Sequence, residues 1–171
     1  MVDNEKNQQI NYPYLPEGRA IGFVAIENPF MAAAKKYMEE HTTELNHPTG
    51  SVVVLGGEII GRAANKSALK SRKLQELHKN GWCVRRILKI PSGQKYWLCP
   101  GCAQLHHHAE ARAVRDALNN QKSAGKGSGS IAGANLYLYG HWWCCKPCWD
   151  AMIAAGIKDV YVVSGAYGMF K

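Results

Sequence analysis

Asn135-Leu136-Tyr137-Leu138-Tyr139, followed by Cys145-Lys146-Pro147-Cys148 and then by Val160-Tyr161-Val162-Val163, is the stretch that decides the fold of this 171-residue chain. The first piece alternates and is rich in aromatics, so it reads as a strand. From Asp150 to Ala155 the pattern is helical, and it stops at Gly156, a residue that closes helices because it enters the left-handed region without a Cβ clash. Val160 to Val163 is a short apolar run, the pattern of a strand covered on both faces. Strand, helix and strand joined this tightly make a βαβ unit, which calls for parallel pairing through a right-handed crossover.

Working outward, Ala109 to Leu118 is built from good helix formers. Its Ala109, Ala113 and Ala117 recur at i, i+4, a small-residue face that lets the helix lie close on a sheet. Asn28-Pro29 starts another helix as N-cap and first-turn proline, running through Met31, Ala34, Tyr37 and Met38 to about Thr42. Val52 to Leu55, Gly56-Gly57 and the run from Ile59 read as a hairpin. Ser67 to Lys79 reads as a basic helix closed by Asn80-Gly81, and a second ribbon is expected around Pro91-Ser92-Gly93. Residues 1–20 are a polar lead-in with Pro13 and Pro16, extended or partly disordered. Residues 121–133, rich in Gly and Ser, are expected to be a flexible loop. The organisation is one domain over 21–171, with an insert at about 66–107 and no internal repeat.

Two short motifs carry the chemistry. His108-Ala109-Glu110 and Cys145-Lys146-Pro147-Cys148 supply an imidazole, two thiols and one carboxylate. Zn²⁺ in catalytic sites takes three protein ligands and leaves a fourth position for water. His108, Cys145 and Cys148 meet that count, and Glu110 is left over as an acid–base group two residues from the imidazole. A helix starting at Cys145 would favour its thiolate through the positive end of the helix dipole. Either motif alone is weak; both together, with 34 residues between Glu110 and Cys145, are a strong signal. The competing assignment is a purely structural zinc, which leaves Glu110 without a task.

Composition narrows the class. The length suits one good core rather than two domains. There is no signal-type apolar run and no stretch of membrane-span length. Six Cys clustered between Cys83 and Cys148 suit metal binding in a reducing compartment better than a disulfide framework, so the cytoplasm is the expected location. The net charge of +8 suits an anionic substrate such as a nucleotide and leaves nucleic acid open. Many of the cations fall between Arg62 and Lys95, either as a solvated face or as a phosphate-facing edge beside a pocket.

The chain resembles the zinc-dependent cytidine/deoxycytidylate deaminase superfamily, and within it the deoxycytidylate (dCMP) deaminase branch, over about residues 28–168. The resemblance rests on Gly50-Ser51-Val52-Val53-Val54, Gly61-Arg62-Ala63-Ala64-Asn65, His108-Ala109-Glu110, and Cys145 to Cys148 followed by Ala155-Gly156-Ile157-Lys158-Asp159-Val160. It implies a three-layer α/β/α sandwich with a mixed four- to five-stranded sheet, the fifth strand coming from the C-terminal segment. It implies Zn²⁺, hydrolysis of dCMP to dUMP with the zinc's water as nucleophile, and Glu110 as proton shuttle. It also implies a homo-oligomer and a small nucleotide substrate touched by Asn65, Ala109 and Tyr167. Where the family has Pro before the first metal Cys, this chain has Cys144, which either competes as a ligand or packs. Trp142 and Trp143 just upstream either fill the core or wall the base pocket, Trp143 then touching substrate.

The insert offers a second metal site. Cys99-Pro100-Gly101-Cys102 is a compact knuckle, and Cys83 plus His106 or His107 would complete four ligands. Some members of the dCMP deaminase branch carry a structural zinc in such an insert. Beside dCMP deamination stand three other readings: a cytidine or deoxycytidine deaminase, a polynucleotide deaminase acting on tRNA adenosine or single-stranded DNA cytosine, and a non-catalytic zinc-stabilised binding module. The polynucleotide reading is disfavoured by the lack of an obvious aromatic-basic tract.

Overall fold

The computed structural model describes residues 10–125 and 130–171. Strands β1 (Ile21–Val24), β2 (Gly50–Leu55), β3 (Glu58–Ala64), β4 (Asn135–Tyr139) and β5 (Val160–Val163) form one mixed sheet in the order β1-β5-β4-β2-β3. β4 and β5 run parallel, Leu136 opposite Val160 and Leu138 opposite Val162, with helix α5 (Lys146–Ala154) between them in sequence. β2 pairs antiparallel with both β3 and β4, and Gly56-Gly57 closes the β2–β3 hairpin.

Helices α1 (Pro29–His41) and α4 (Ala109–Ser123) cover opposite faces of this sheet, which makes three layers. Two glycines allow it. Gly50 on β2 lies under α1, where an added Cβ would sit 2.7 Å from the Met38 Cβ. Gly61 on β3, paired with Val53, lies under α4, where a Cβ would sit 2.6 Å from both the Ala113 carbonyl oxygen and the Ala117 Cβ. Because alternate residues of a strand face opposite ways, Gly50 with Val52 and Val53 with Gly61 define the two sides. The small face of α4 does the rest: Ala109, Ala113 and Ala117 are wholly buried. α1 begins where Asn28 Oδ1 accepts the Phe30 and Met31 amides at 3.0 and 3.2 Å, with Pro29 in the first turn. Trp149, Met31, Leu136, Leu138, Val52 and Val53 fill the core.

Four expectations are corrected. The fifth strand is N-terminal: Ile21–Val24 adds in parallel to the free edge of β5, while the C-terminal segment turns into the short helix α6 (Ala166–Phe170). The basic helix, α2, spans Arg72–Lys79 rather than starting at Ser67, because the Ser67 hydroxyl takes the Leu69 amide in a local turn. No second ribbon forms around Pro91 among the described residues. The Arg85 guanidinium donates to the Pro91 and Gln94 carbonyls, holding that segment as a compact turn beside the one-turn helix α3 (Val84–Ile87) and 3-10 turns at Tyr96–Leu98 and Leu105–His107. α4 runs on to Ser123, so only the end of the expected Gly/Ser loop remains, and residues 126–129 of it lie outside the described residues. Of the lead-in, residues 1–9 also lie outside, whereas Ile10, Tyr12, Tyr14 and Leu15 pack on the core. No helix among the described residues is long and apolar enough to cross a membrane.

Candidate active site and metal centres

The sheet and its helices bring the two motifs together at helix N-termini. His108 is the N-cap of α4 and Cys145 the N-cap of α5, so both ligands sit where unpaired backbone N–H groups and the helix dipole favour negative charge. His108 Nδ1 lies 3.3 Å from Cys148 Sγ and 3.5 Å from Cys145 Sγ. Its other nitrogen, Nε2, lies 3.1 Å from the Ala103 carbonyl, which accepts the Nε2 proton and leaves Nδ1 facing the sulfurs. An imidazole nitrogen and two thiol sulfurs within 4.8 Å of one another form the donor set of a catalytic zinc centre. Burial works against a charged His108, but the Cys145 thiol and the nearby Glu110 carboxylate raise it to about 9. Cys145 is brought down to about 6 by the Cys148 hydrogen bond, against burial, with His108 adding to the effect.

Glu110, in the first turn of α4, is buried and lines the same cavity. It is electrostatically coupled to His108, Cys144, Cys145 and Cys148, so the carboxylate lies close to the ligand group. Cys144 is not one of the converging ligands. It is wholly buried in the core, and burial, with Glu110 beside it, pushes its thiol well above the ordinary range.

The cavity has a volume of about 480 Å³, within the ~300–1,000 Å³ span of small-molecule sites. Asn65, Ala109 and Trp143 line it. Asn65 Oδ1 accepts from the Thr42 hydroxyl (2.7 Å) and the Thr49 amide (3.0 Å), and Nδ2 donates to the His47 carbonyl (2.7 Å), which leaves one amide hydrogen uncommitted. Trp143 is a wall residue with Gly93 of the insert packed against its ring edge. Tyr167 does not line the cavity; it meets Trp142 edge-on at 4.9 Å and supports the wall from behind. Arg85 and Arg86, two of the Arg62–Lys95 cations expected as a solvated face or a phosphate-facing edge, line the cavity, as do three residues that sequence reasoning passed over: Tyr96, His141 and Lys171. His141 Nδ1 accepts the Trp142 and Trp143 amides, and burial lowers its pKa to about 4, so it stays neutral. Arg85 stacks 4.2 Å over Tyr96, whose ring meets His108 edge-on at 5.6 Å.

The second cluster differs from the expectation in one ligand. His78, Cys83, Cys99 and Cys102 converge within 4.8 Å and are all buried. His106 is exposed on its 3-10 turn, its ring 4.0 Å from that of His107. His78 comes from the last turn of α2, and its Nδ1 meets the Asn46 side-chain amide at 3.0 Å, which leaves Nε2 to face the sulfurs. Three thiols and an imidazole, closed off from solvent, are the donor set of a structural zinc. Its signal in the sequence was a His five positions upstream of Cys83, across the Asn80-Gly81 turn.

Among solved structures the chain is similar to the dCMP deaminase of cyanophage S-TIM5, at 20% identity and a TM-score of 0.42, over 82% of this chain and 86% of that one. It is similar at 23% identity and a TM-score of 0.42 to a diaminohydroxyphosphoribosylaminopyrimidine deaminase/reductase of Thermotoga maritima, over 78% of this chain and 28% of that one. A tRNA:A34 deaminase shares 23% identity and a TM-score of 0.42, over 78% and 75% of the two chains. No curated protein sequence matches the chain. The family model for the cytidine and deoxycytidylate deaminase zinc-binding region matches residues 25–164, so it spans strands β2 to β5, the insert and both motifs, and the chain belongs to that family.

Proposed function

We propose that the chain hydrolyses the exocyclic amine of a cytosine nucleotide, converting dCMP to dUMP. The observation that carries this reading is a single cavity that holds His108, Cys145 and Glu110 together with two exposed cations, Arg86 and Lys171. A base carrying an exocyclic amine would seat at the first group, and a 5′-phosphate would meet the second. Zn²⁺ on His108, Cys145 and Cys148 supplies Lewis-acid activation of water when bound. Glu110 takes one proton from the attacking water and delivers it to the pyrimidine ring nitrogen, then takes the second from the hydroxyl added to the ring carbon and delivers it to the departing amine. The C–N bond breaks, ammonia leaves, and the water oxygen becomes the new carbonyl.

The remaining roles follow from the placement of each group. The free amide hydrogen of Asn65 donates to the sugar. Ala109 opens α4, so its N–H has no partner within the helix and serves the pyrimidine carbonyl. Trp143, backed by Trp142 and Tyr167, walls the base and excludes water. Arg85 is buried and spends its donors on Pro91, Gln94 and Cys102, so it holds the insert side of the cavity, whereas Arg86, which donates to the His78 and Lys79 carbonyls, keeps its guanidinium exposed at the rim for the phosphate.

The test is turnover of dCMP, CMP, deoxycytidine, dCTP and a short single-stranded oligonucleotide by the wild type and Glu110→Gln. Fastest turnover of dCMP, with the variant slower by about 10²–10⁴-fold at unchanged zinc content, is the expected result. Retained activity in Glu110→Gln removes the proton shuttle, and turnover of the oligonucleotide alone removes the monomer substrate.

A further inference from the structure

The chain's positive charge is not spread over its surface. Residues 66–107 hold nine of the 21 Lys and Arg but only one of the 13 Asp and Glu, Glu76. The insert therefore carries a net +8, the whole excess of the chain, and the rest of the molecule is balanced. Most of the exposed large apolar side chains sit on the same segment: Leu74, Leu77, Trp82, Ile87, Leu88 and Trp97. Trp82 and Trp97 are the extreme cases, 76% and 73% exposed. Each is anchored beside a ligand of the second metal cluster, Trp82 next to Cys83 and Trp97 two residues before Cys99. A metal held by that cluster would fix both indoles on one small unit.

At the root of this unit lies a groove lined by Lys66, Lys70, His107, Arg112 and Arg115. Arg112 Nε is buried there and donates to no acceptor. A cationic groove shared by the insert and α4, with exposed indoles on the insert, calls for a ligand that is both polyanionic and aromatic. A second copy of the insert would bring one +8 face against another, so like charge opposes self-association through it. A duplex satisfies the cations but hides its base faces from the indoles. A single strand satisfies both, since its phosphates release counterions to Lys and Arg and its open bases stack on Trp.

We propose that the metal-held insert is a docking surface for single-stranded nucleic acid, with Trp82 and Trp97 as stacking platforms and the Lys66–Arg115 groove as a phosphate seat. Neither tryptophan lines the catalytic cavity, so this surface is independent of the deaminase reading.

The test is fluorescence anisotropy of the zinc-loaded full chain with a labelled single strand of about 16 nucleotides and with the matching duplex, titrated between roughly 50 and 200 mM salt. The single strand should bind with an affinity that falls steeply with salt. Trp82→Ala and Trp97→Ala should each weaken it on the order of tenfold. Lys66→Glu with Lys70→Glu, both in the groove, should reduce the salt slope by roughly one to two. The proposal fails if no strand binds, or if the duplex binds as well and the tryptophan variants bind like the wild type. It also fails if those variants split an oligomer in sedimentation while strand binding stays unchanged, which would make the surface a contact between copies. dCMP turnover on the same samples separates the two readings: the tryptophan variants keep whatever turnover the wild type has. Strand binding without dCMP turnover would refute the monomer substrate alone.

Discussion

Replacing Cys99 by serine removes one of four ligands from the insert's metal cluster, and its effect should be confined to the insert. The apolar cluster that the insert has to itself consists of Cys83, Cys99 and Cys102, with Tyr96 packed against it. Its larger apolar side chains point to solvent, so side-chain burial does little to hold it. A four-ligand structural zinc, by contrast, contributes about 10–16 kcal/mol in metal-dependent peptides. Losing even a third of that, about 4 kcal/mol, raises local opening roughly 10³-fold. The amides to follow by hydrogen-exchange mass spectrometry are Ile87, Ile90 and Cys102, bonded at 2.8–3.0 Å to the Cys83, Arg85 and Cys99 carbonyls. They should exchange within the dead time in Cys99→Ser, while the amides of β2 and β4 keep wild-type protection, as expected for a sub-global opening. Because Arg85 and Tyr96 of the insert line the cavity, KM for dCMP should rise while the catalytic zinc stays bound. Wild-type protection at Ile87, Ile90 and Cys102 in a variant holding a single zinc per chain would refute the argument, since the insert would then be held by something other than metal.

The corrected ligand set predicts that His78→Ala lowers zinc from two atoms per chain to one, whereas His106→Ala leaves two, both read by plasma mass spectrometry. Cys148→Ala should lose the catalytic zinc and Cys144→Ala should keep it; the reverse pattern would make Cys144 the ligand. Gly61→Ala forces a methyl to within 2.6 Å of Ala113 and Ala117 in α4, and overpacking of this kind costs about 1–3 kcal/mol, a drop in the urea midpoint at unchanged slope.

What the sequence revealed and what it concealed have physical reasons. His108, Cys145 and Cys148 converge because each motif opens a helix, and a helix N-terminus fixes a few consecutive residues relative to its axis without reference to distant contacts. The same locality made the small face of α4 readable, since i, i+4 spacing is a property of one helix. β1 was missed because four residues carry little pattern, and what makes Ile21–Val24 a strand is the open edge of β5, whose Val160–Val163 lies about 140 residues away. The insert defeated pattern reading for a different reason. Its backbone follows the Arg85 guanidinium, which occupies the Pro91 and Gln94 carbonyls that a ribbon would have used. The wrong fourth ligand has the same origin. His106 adjoins the active-site motif in sequence, but the Leu105–His107 turn leaves it exposed, whereas α2 and the Asn80-Gly81 turn carry His78 back over the knuckle. Gly101 permits that approach: a Cβ there would strike the His78 ring. Any side chain at 101 should therefore displace the imidazole and cost the second metal while sparing the first. Gly101→Ala tests this with no ligand altered, and two zinc atoms per chain in that variant would show that His78 is not held where the metal needs it.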